Sequence, residues 1–145
     1  PIWNADARGV FFGMSLSTDY GAFVRAIMEG VALSMRDCME IMPAAKTSAS
    51  PIPLGGGAAN SRVWCQIFAD VLNHPIVRLK SGETETLGDF IVAAESVGLS
   101  EVSRDFGKKL AAESEVLYPD SAAVEVYDKA YQKYKAVYQN TKTLF

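Results

Sequence analysis

The chain has 145 residues, of which 49% are hydrophobic and 21% charged, and its formal net charge is −3 at pH 7. A chain of this size and composition can bury a core, so we expect one globular domain over residues 1–145. The negative charge provides no field that attracts a phosphate backbone, which argues against nucleic acid or an anionic membrane as a partner. No apolar run approaches the roughly 20 residues needed to span a bilayer.

The N-terminal third predicts a strand followed by a long helix. Residues 9–16, GVFFGMSL, are rich in Val and Phe and precede a polar STD sequence, which favours a strand. A helix is predicted over residues 19–42, with Thr18 or Asp19 as its cap and Pro43 at its end. Apolar residues recur along it at steps of three and four and widen into a broad face, so we expect it to be largely buried. The members of that face are Phe23, Val24, Ile27, Met28, Val31, Ala32, Met35, Cys38, Met39 and Met42.

The middle of the chain alternates short strands with helices. Strands are predicted at 52–54 and 76–79, and a helix over 61–73 lies between them. Three glycines at 55–57 separate the first strand from that helix. Another helix is predicted over 84–97. This alternation indicates an α/β layered domain.

The C-terminal third ends in a helix that carries several tyrosines. Residues 101–118 are ambiguous and predict a short helix over 102–112 and then an extended EVLYPD sequence. The last helix is expected to begin at a cap in Asp120 or Ser121. Its stripe indicates a helix packed onto the domain with its hydroxyls at the solvent-exposed rim. A ligand or subunit interface is the alternative, so a homodimer is among the partners considered. The stripe consists of Val124, Tyr127, Tyr131, Tyr134 and Tyr138.

The cysteines and the single histidine predict no metal site. Cys38 and Cys65 lie in predicted helices, and neither has a second ligand at CxxC or CxxH spacing. We therefore expect two buried, reduced thiols, as in a cytoplasmic protein. His74 precedes Pro75 at a helix-to-strand junction and is expected at the surface or in a capping role.

The glycine turn is the stretch with the clearest binding chemistry. Glycine lacks a Cβ, so a ligand can lie directly against its backbone. The helix that follows begins with free N–H groups and a partial positive charge. Asn60 and Ser61 either cap that helix or turn their side chains to a ligand. The alternative is a tight strand-to-helix turn that needs glycine only for packing.

Two familiar phosphate-binding loops do not fit this turn. A Walker A loop needs Gly-Lys-Ser/Thr, and no lysine lies between Lys46 and Lys80. A Rossmann fingerprint needs a third glycine where Asn60 stands, and an acid at the end of the next strand. That strand carries Arg78 instead.

Four stretches together resemble the C-terminal part of the FGGY-type carbohydrate kinases, the group of xylulose, gluconate, glycerol and related sugar or polyol kinases. They follow the family's order and cover nearly the whole chain. The stretches are PIWNADARGVFFGM with Phe23 and RAIMEG at 25–30, GGAANSRVWCQIFADVL at 56–72, ETETLGDFIVAAESVG at 83–98 and YDKAYQKYKAVYQN at 127–140.

The resemblance implies the actin/hexokinase-like ATPase fold, built from RNase H-like domains. ATP would be held mainly by the C-terminal domain, and a sugar or polyol mainly by a missing N-terminal domain. The chain is therefore expected to be a fragment, most of the nucleotide-binding domain of a longer kinase, and inactive alone. The implied reaction transfers the γ-phosphoryl group of Mg-ATP in line to a sugar hydroxyl, with ATP and Mg²⁺ as cofactors.

The resemblance also assigns contacts to individual residues. In the family, the turn matched by Gly56, Gly57 and Ala58 lies against adenine and the α-phosphate. The polar residue that approaches the base corresponds to Ser61, and Asn60 is the alternative contact. The aspartate base and the phosphate loops belong to upstream segments, so no catalytic residue is assigned to this chain.

The acidic residues of the chain are poorly placed for catalysis. Glu29 and Asp37 lie within the long helix, and Glu29 is interpreted as a structural hydrogen-bonding acid. Asp70 lies nine residues beyond the start of the helix that follows the glycines. Asp6 and Arg8 are expected to pair or cap locally.

Three departures from the family pattern leave the expected fold unchanged. Ala22 stands where a polar residue is usual, Asp89 replaces a usual alanine, and Gly55 adds a third glycine. The loss of a polar group at Ala22 weakens any specific substrate assignment. Xylulose is the first candidate, followed by gluconate, glycerol or another polyol. The alternatives to a kinase are a non-catalytic actin-like nucleotide-binding module and a structural fragment without ligand affinity.

Overall fold

The chain forms two compact units in the computed structural model, which describes residues 2–42, 50–79 and 84–145. Each unit is named here by its main feature. The terminal-helix unit consists of residues 2–42, 70–73 and 119–145, and the glycine-turn unit of residues 50–69, 74–79 and 84–118.

The helices between residues 20 and 112 and the strands at 52–54 and 76–78 match their predicted bounds to within two residues at each end, and the last helix begins where it was expected. No helix in the described part of the chain has both the length and the apolar character needed to cross a membrane. In chain order the elements are α1 (Tyr20–Glu40), β1 (Ile52–Leu54), a 3₁₀ turn (Gly57–Asn60), α2 (Arg62–Leu72), β2 (Ile76–Arg78), α3 (Thr84–Ser96), α4 (Ser100–Ala112), β3 (Glu115–Leu117), α5 (Ser121–Thr141) and a last 3₁₀ turn (Lys142–Leu144).

A three-stranded sheet in the order β1-β2-β3 organises the glycine-turn unit. β1 and β2 are parallel, because α2 carries the chain back to the end of the sheet at which β1 begins. β2 and β3 are antiparallel, with Ile76 opposite Leu117 and Arg78 opposite Glu115. The extended sequence predicted after α4 is thus the third strand.

The buried side chains of the glycine-turn unit come mainly from α2 and the sheet. Ile76 and Leu117 are both buried, and so are four side chains of α2. Full burial of one aliphatic side chain of this size contributes about 1.5–3 kcal/mol, so this packing is the main support of the unit. The buried α2 residues of the unit are Cys65, Ile67, Phe68 and Ala69.

Two long capped helices form the terminal-helix unit. The Asp19 carboxylate accepts a 2.7 Å hydrogen bond from the Ala22 backbone N–H and so caps α1, as predicted. Asp120 caps α5 through a 2.9 Å bond from the Ala122 N–H. The predicted end of α1 at Pro43 lies outside the described residues.

The tyrosine stripe of α5 packs inward, but the prediction that its hydroxyls lie at a solvent-exposed rim is wrong for two of them. Tyr127 and Tyr131 are 5% and 3% exposed. The Tyr127 hydroxyl donates to Glu29 at 2.8 Å, and the Tyr131 hydroxyl donates to Asp37 at 2.7 Å. The physical reason is that each buried hydroxyl finds a carboxylate acceptor on α1, which the α5 sequence alone does not reveal.

Residues 9–16 do not form the predicted strand. They are irregular, and no strand of the described residues pairs with them. Phe11 stacks on Phe23 with ring centroids 4.1 Å apart, while Phe12 is 75% exposed. A strand needs a hydrogen-bonding partner as well as β-favouring residues, and local composition cannot supply one.

The prediction that α1 is largely buried is also wrong for these residues. Ala32 and Leu33 are buried, but one apolar stripe remains between one third and one half exposed. The stripe consists of Phe23, Ile27, Val31 and Met35, at 36%, 49%, 45% and 46% exposure. Periodicity identifies an apolar face, and it does not say whether the described residues cover that face.

Candidate functional site

The glycine turn is a tight bend whose first corner only glycine can make. Gly56 has φ +68° and ψ −157°, a combination that is essentially restricted to glycine. The chain then enters the 3₁₀ turn, which the Ala59 N–H closes by donating to the Gly56 carbonyl at 3.1 Å. Gly56 is therefore required by backbone conformation.

Gly57 is different, because neither packing nor backbone conformation accounts for it. Its φ lies outside the left-handed region, and a Cβ built on it meets no atom within 4 Å in the described residues. A Cβ on Gly56 would likewise point into open space. A turn that needed glycine only for packing would be crowded at Gly57. The open space instead leaves room for a molecule against the backbone.

The three other predicted site residues lie on the same turn and differ in how far their polar groups are already engaged in hydrogen bonds. The Ala58 carbonyl points inward and accepts from the Ser61 N–H at 3.1 Å and from the buried Cys65 thiol at 3.6 Å. The Ser61 hydroxyl oxygen accepts from the Trp64 N–H at 3.3 Å and caps α2. The Asn60 side chain is exposed and makes no hydrogen bond to the described residues. Asn60 thus presents the freer polar group.

The underside of the turn is held by a charged network that sequence reasoning missed. Arg78, at the end of β2, donates from Nε to the Ala59 carbonyl at 2.7 Å and from Nη2 to the Asn60 carbonyl at 3.4 Å. Its Nη1 lies 3.3 Å from Glu115 Oε2, and the Nε of Arg62 lies 2.9 Å from Glu115 Oε1. The only signal of this network in the sequence was Arg78 itself, a cationic residue at the strand end where a dinucleotide-binding fold would have an acidic one.

Electrostatics within this network favour the charged form of Glu115. The Arg62 guanidinium, and after it Arg78, hold the pKa of the Glu115 carboxyl below its usual range. Beneath the turn, burial raises the pKa of the Cys65 thiol, so that Cys65 stays protonated and can donate to Ala58. The ion pairs of Glu115 with both arginines and the hydrogen bond from Cys65 to Ala58 support the turn from below.

The acidic residues considered for catalysis are occupied by structural contacts. Glu29 and Asp37 accept from tyrosine hydroxyls of α5, as described above, in keeping with the structural role expected for Glu29. Asp70 is buried and accepts from the Asp120 backbone N–H at 2.9 Å. Asp6 does not form an ion pair with Arg8 in the described residues; Arg8 instead donates to the Asp6 backbone carbonyl at 2.6 Å.

The remaining polar candidates are the two cysteines and the histidine. Cys38 and Cys65 are both free thiols, but only Cys65 is buried, so the prediction of a buried thiol is wrong for Cys38, which lies on the incompletely covered α1. His74 is half-buried, with its Nδ1 3.1 Å from the Pro75 carbonyl oxygen. No group of three His, Cys, Asp or Glu side chains suited to a metal ion occurs within residues 2–42, 50–79 and 84–145.

The terminal-helix unit contains a separate apolar cavity of about 700 Å³. It is lined mainly by aromatic and aliphatic side chains, and none of the five residues of the glycine turn that are predicted to bind the nucleotide lines it. Among its lining residues are Phe11, Phe23, Ile27, Tyr134 and Tyr138.

Comparison with known proteins identifies the group to which the turn belongs. Residues 1–97, which include the whole turn, match the FGGY family of carbohydrate kinases, C-terminal domain. The chain belongs to this family. A xylulose kinase of Staphylococcus epidermidis is 34% identical over 144 residues, which cover 99% of this chain and 29% of that protein. A glycerol kinase of Enterococcus casseliflavus is 34% identical over 146 residues, 99% of this chain and 28% of that protein.

A solved structure agrees with the family assignment. The crystal structure of gluconate kinase from Lactobacillus acidophilus superimposes with a TM-score of 0.74 and 26% identity, over 97% of this chain and 28% of that one. The fold is therefore the α/β fold of the actin/hexokinase-like ATPases, and the chain corresponds to the C-terminal domain of an FGGY kinase. It spans less than a third of the length of these relatives.

Proposed function

We propose that the parent protein is an ATP-dependent carbohydrate kinase and that the glycine turn forms the adenosine side of its nucleotide site. The observation that carries this proposal is the open space above Gly57, where neither packing nor backbone conformation calls for glycine. The turn lies within the stretch that matches the FGGY family. A flat, side-chain-free surface suits a planar base and a phosphate that must approach the backbone closely.

Each residue of the turn has a distinct role in this proposal. Gly56, Gly57 and Ala58 form the wall against adenine and the α-phosphate. Asn60 offers an exposed amide that can both donate to and accept from a ring nitrogen or an exocyclic amine. Ser61 accepts the α2 capping bond through its oxygen, so its hydroxyl proton is still available to a ligand.

ATP supplies the γ-phosphoryl group in such a reaction, and the Mg²⁺ that accompanies it neutralises phosphate charge. This chain's part is to bind and orient the nucleoside end. Transfer depends mainly on positioning and charge stabilisation. We propose that the base, the phosphate loops and most of the sugar pocket come from other parts of the parent, and that residues 1–145 form most of its C-terminal nucleotide-binding domain.

Xylulose is proposed as the phosphorylated sugar, with gluconate, glycerol or another polyol as the alternatives. Support comes from the xylulose kinase relative, but a glycerol kinase is equally identical to this chain. We place the parent in the cytoplasm, where free thiols such as Cys38 and Cys65 stay reduced, and propose a homodimer.

The test is a phosphorylation panel of ketoses, polyols and aldonates with the full-length parent, followed by ADP release. We expect ATP-dependent phosphorylation with a ketose as the best substrate. A preference for glycerol or gluconate would overturn the xylulose assignment alone. Tight nucleotide binding without phosphorylation of any acceptor would favour the non-catalytic nucleotide-binding module. Sedimentation of the same preparation tests the homodimer.

A further inference from the structure

Arg78 satisfies the two backbone carbonyls that the 3₁₀ turn leaves without partners. The Ala58 carbonyl is bonded within the turn to the Ser61 N–H. The next two carbonyls, of Ala59 and Asn60, come at the end of the turn, where carbonyls lack partners in the same element. Both accept hydrogen bonds from Arg78, at 2.7 and 3.4 Å. One side chain therefore sets the position of the last two peptide groups of the turn.

The guanidinium itself is fixed from the opposite side. Arg78 lies directly across the β2–β3 ladder from Glu115, whose Oε2 is 3.3 Å from Nη1. The other carboxylate oxygen of Glu115 is held by Arg62. Since the Arg78 side chain is only 20% exposed, its contacts are screened less than those of a surface ion pair. The planar fork reaches three acceptors at once, which a lysine ammonium on a flexible stem cannot reproduce.

The network is arranged around the turn rather than around the sheet alone. β1 runs into the turn from Leu54, which lies level with Arg78 in the parallel ladder. Arg78 thus lies at the point where the ends of β1 and β2 meet the turn and the start of α2. A residue that served only the sheet would pair across the strands, and would not need to reach the Ala59 and Asn60 carbonyls.

We propose that Arg78, held by Glu115, is a positioning residue that keeps the glycine turn in the conformation that receives the nucleoside end of the nucleotide. This inference rests on the proposed function, because it concerns the same site. Arg78 itself acts from behind the turn through the backbone of Ala59 and Asn60, and it contacts neither the base nor the phosphates.

The experiment compares Arg78→Gln and Arg78→Lys with the wild type in the full-length parent. The readouts are the Kd for ADP by calorimetry, the KM for ATP, the KM for the sugar, kcat, and hydrogen exchange of the amides of the turn. Lys108→Gln is the control, because Lys108 belongs to the same unit but, within the described part of the chain, forms only an exposed pair with Asp105.

We expect Arg78→Gln to raise the Kd for ADP and the KM for ATP about tenfold, as loss of charge-assisted hydrogen bonds would do. The sugar KM and kcat should change by less than about twofold, and the Ala59 and Ser61 amides should exchange faster. Arg78→Lys should restore part of the affinity. Lys108→Gln should leave all readouts at wild-type values.

Two results would overturn the inference. One is wild-type nucleotide affinity and exchange in folded Arg78→Gln while Gly57→Val weakens nucleotide binding, which would leave the proposed function standing. The other is an equal loss for nucleotide and sugar with a lowered melting temperature, which would mark a general structural role. If Arg78→Gln does not fold, Glu115→Gln and Arg78→Lys decide the matter, with the same selective rise in Kd expected.

Discussion

The Tyr127 hydroxyl lies 2.8 Å from Glu29 Oε1 and also accepts a 2.8 Å hydrogen bond from Arg25 Nη2. The Nε of Arg25 in turn lies 2.7 Å from the same Glu29 oxygen. These three side chains close a triangle between α1 and α5 in the terminal-helix unit. Burial, and after it the bond to Glu29, raises the pKa of Tyr127, so the hydroxyl remains a donor at neutral pH.

Tyr127→Phe should destabilise the protein by about 1–2 kcal/mol, because it leaves the half-buried Glu29 without its hydroxyl donor. The measurement is the urea midpoint of the full-length parent. Tyr118→Phe is the matched control, since Tyr118 is 69% exposed and, among the described residues, only its backbone carbonyl accepts a hydrogen bond. Equal midpoints for the two variants would contradict the structural role assigned to the Tyr127 hydroxyl.

The contribution of Tyr131 to the free energy of unfolding should decrease at alkaline pH. Burial, and after it the bond to the Asp37 carboxylate, raises the pKa of Tyr131. An unfolded tyrosine ionises near pH 10 while the folded one keeps its proton, so its contribution is complete below about pH 10 and is lost as the pH rises further. The advantage of the wild type over Tyr131→Phe in urea should therefore shrink as the pH rises from about 10 to about 11. A constant difference across that window would contradict this assignment.

Substitutions at Asn60 and Ser61 should show different effects on nucleotide binding and on stability. Asn60→Ala removes an exposed amide without a contact in the described residues, so we expect a higher KM for ATP and an unchanged melting temperature. Ser61→Ala removes the α2 cap and should cost about 1 kcal/mol of stability. Kinetics and thermal melting of both variants provide the check. If only Ser61→Ala affected the KM for ATP, the base contact would be Ser61 and not Asn60.

Local signals predicted most of this fold. Asp19 and Asp120 are capping residues that act on backbone N–H groups two or three residues away, so the starts of α1 and α5 are readable from the sequence. The glycine turn is likewise local, because Gly56 adopts a backbone conformation that other residues avoid. The family resemblance then supplied the role proposed for the turn, which spacing alone left open.

Long-range relations could not be predicted in the same way. Arg78 lies 19 residues from Ala59 and 37 from Glu115 along the chain, and only the strand register brings them together. Residues 9–16 have the composition of a strand but no described partner strand. The exposed stripe of α1 shows the same limit, because amphipathic periodicity carries no information about which surface covers it.

The central claim, that a nucleotide lies against the glycine turn, is tested most directly by the KM for ATP of Gly57→Val in the full-length parent. The open space at Gly57 lets the fold accept a side chain that would occupy the position proposed for the nucleotide. Gly57→Ala serves as the graded control, and the KM for the sugar reports damage elsewhere. We predict a rise in the KM for ATP of about tenfold or more for valine, a smaller rise for alanine and an unchanged sugar KM. A folded Gly57→Val variant with the wild-type KM for ATP would contradict the claim.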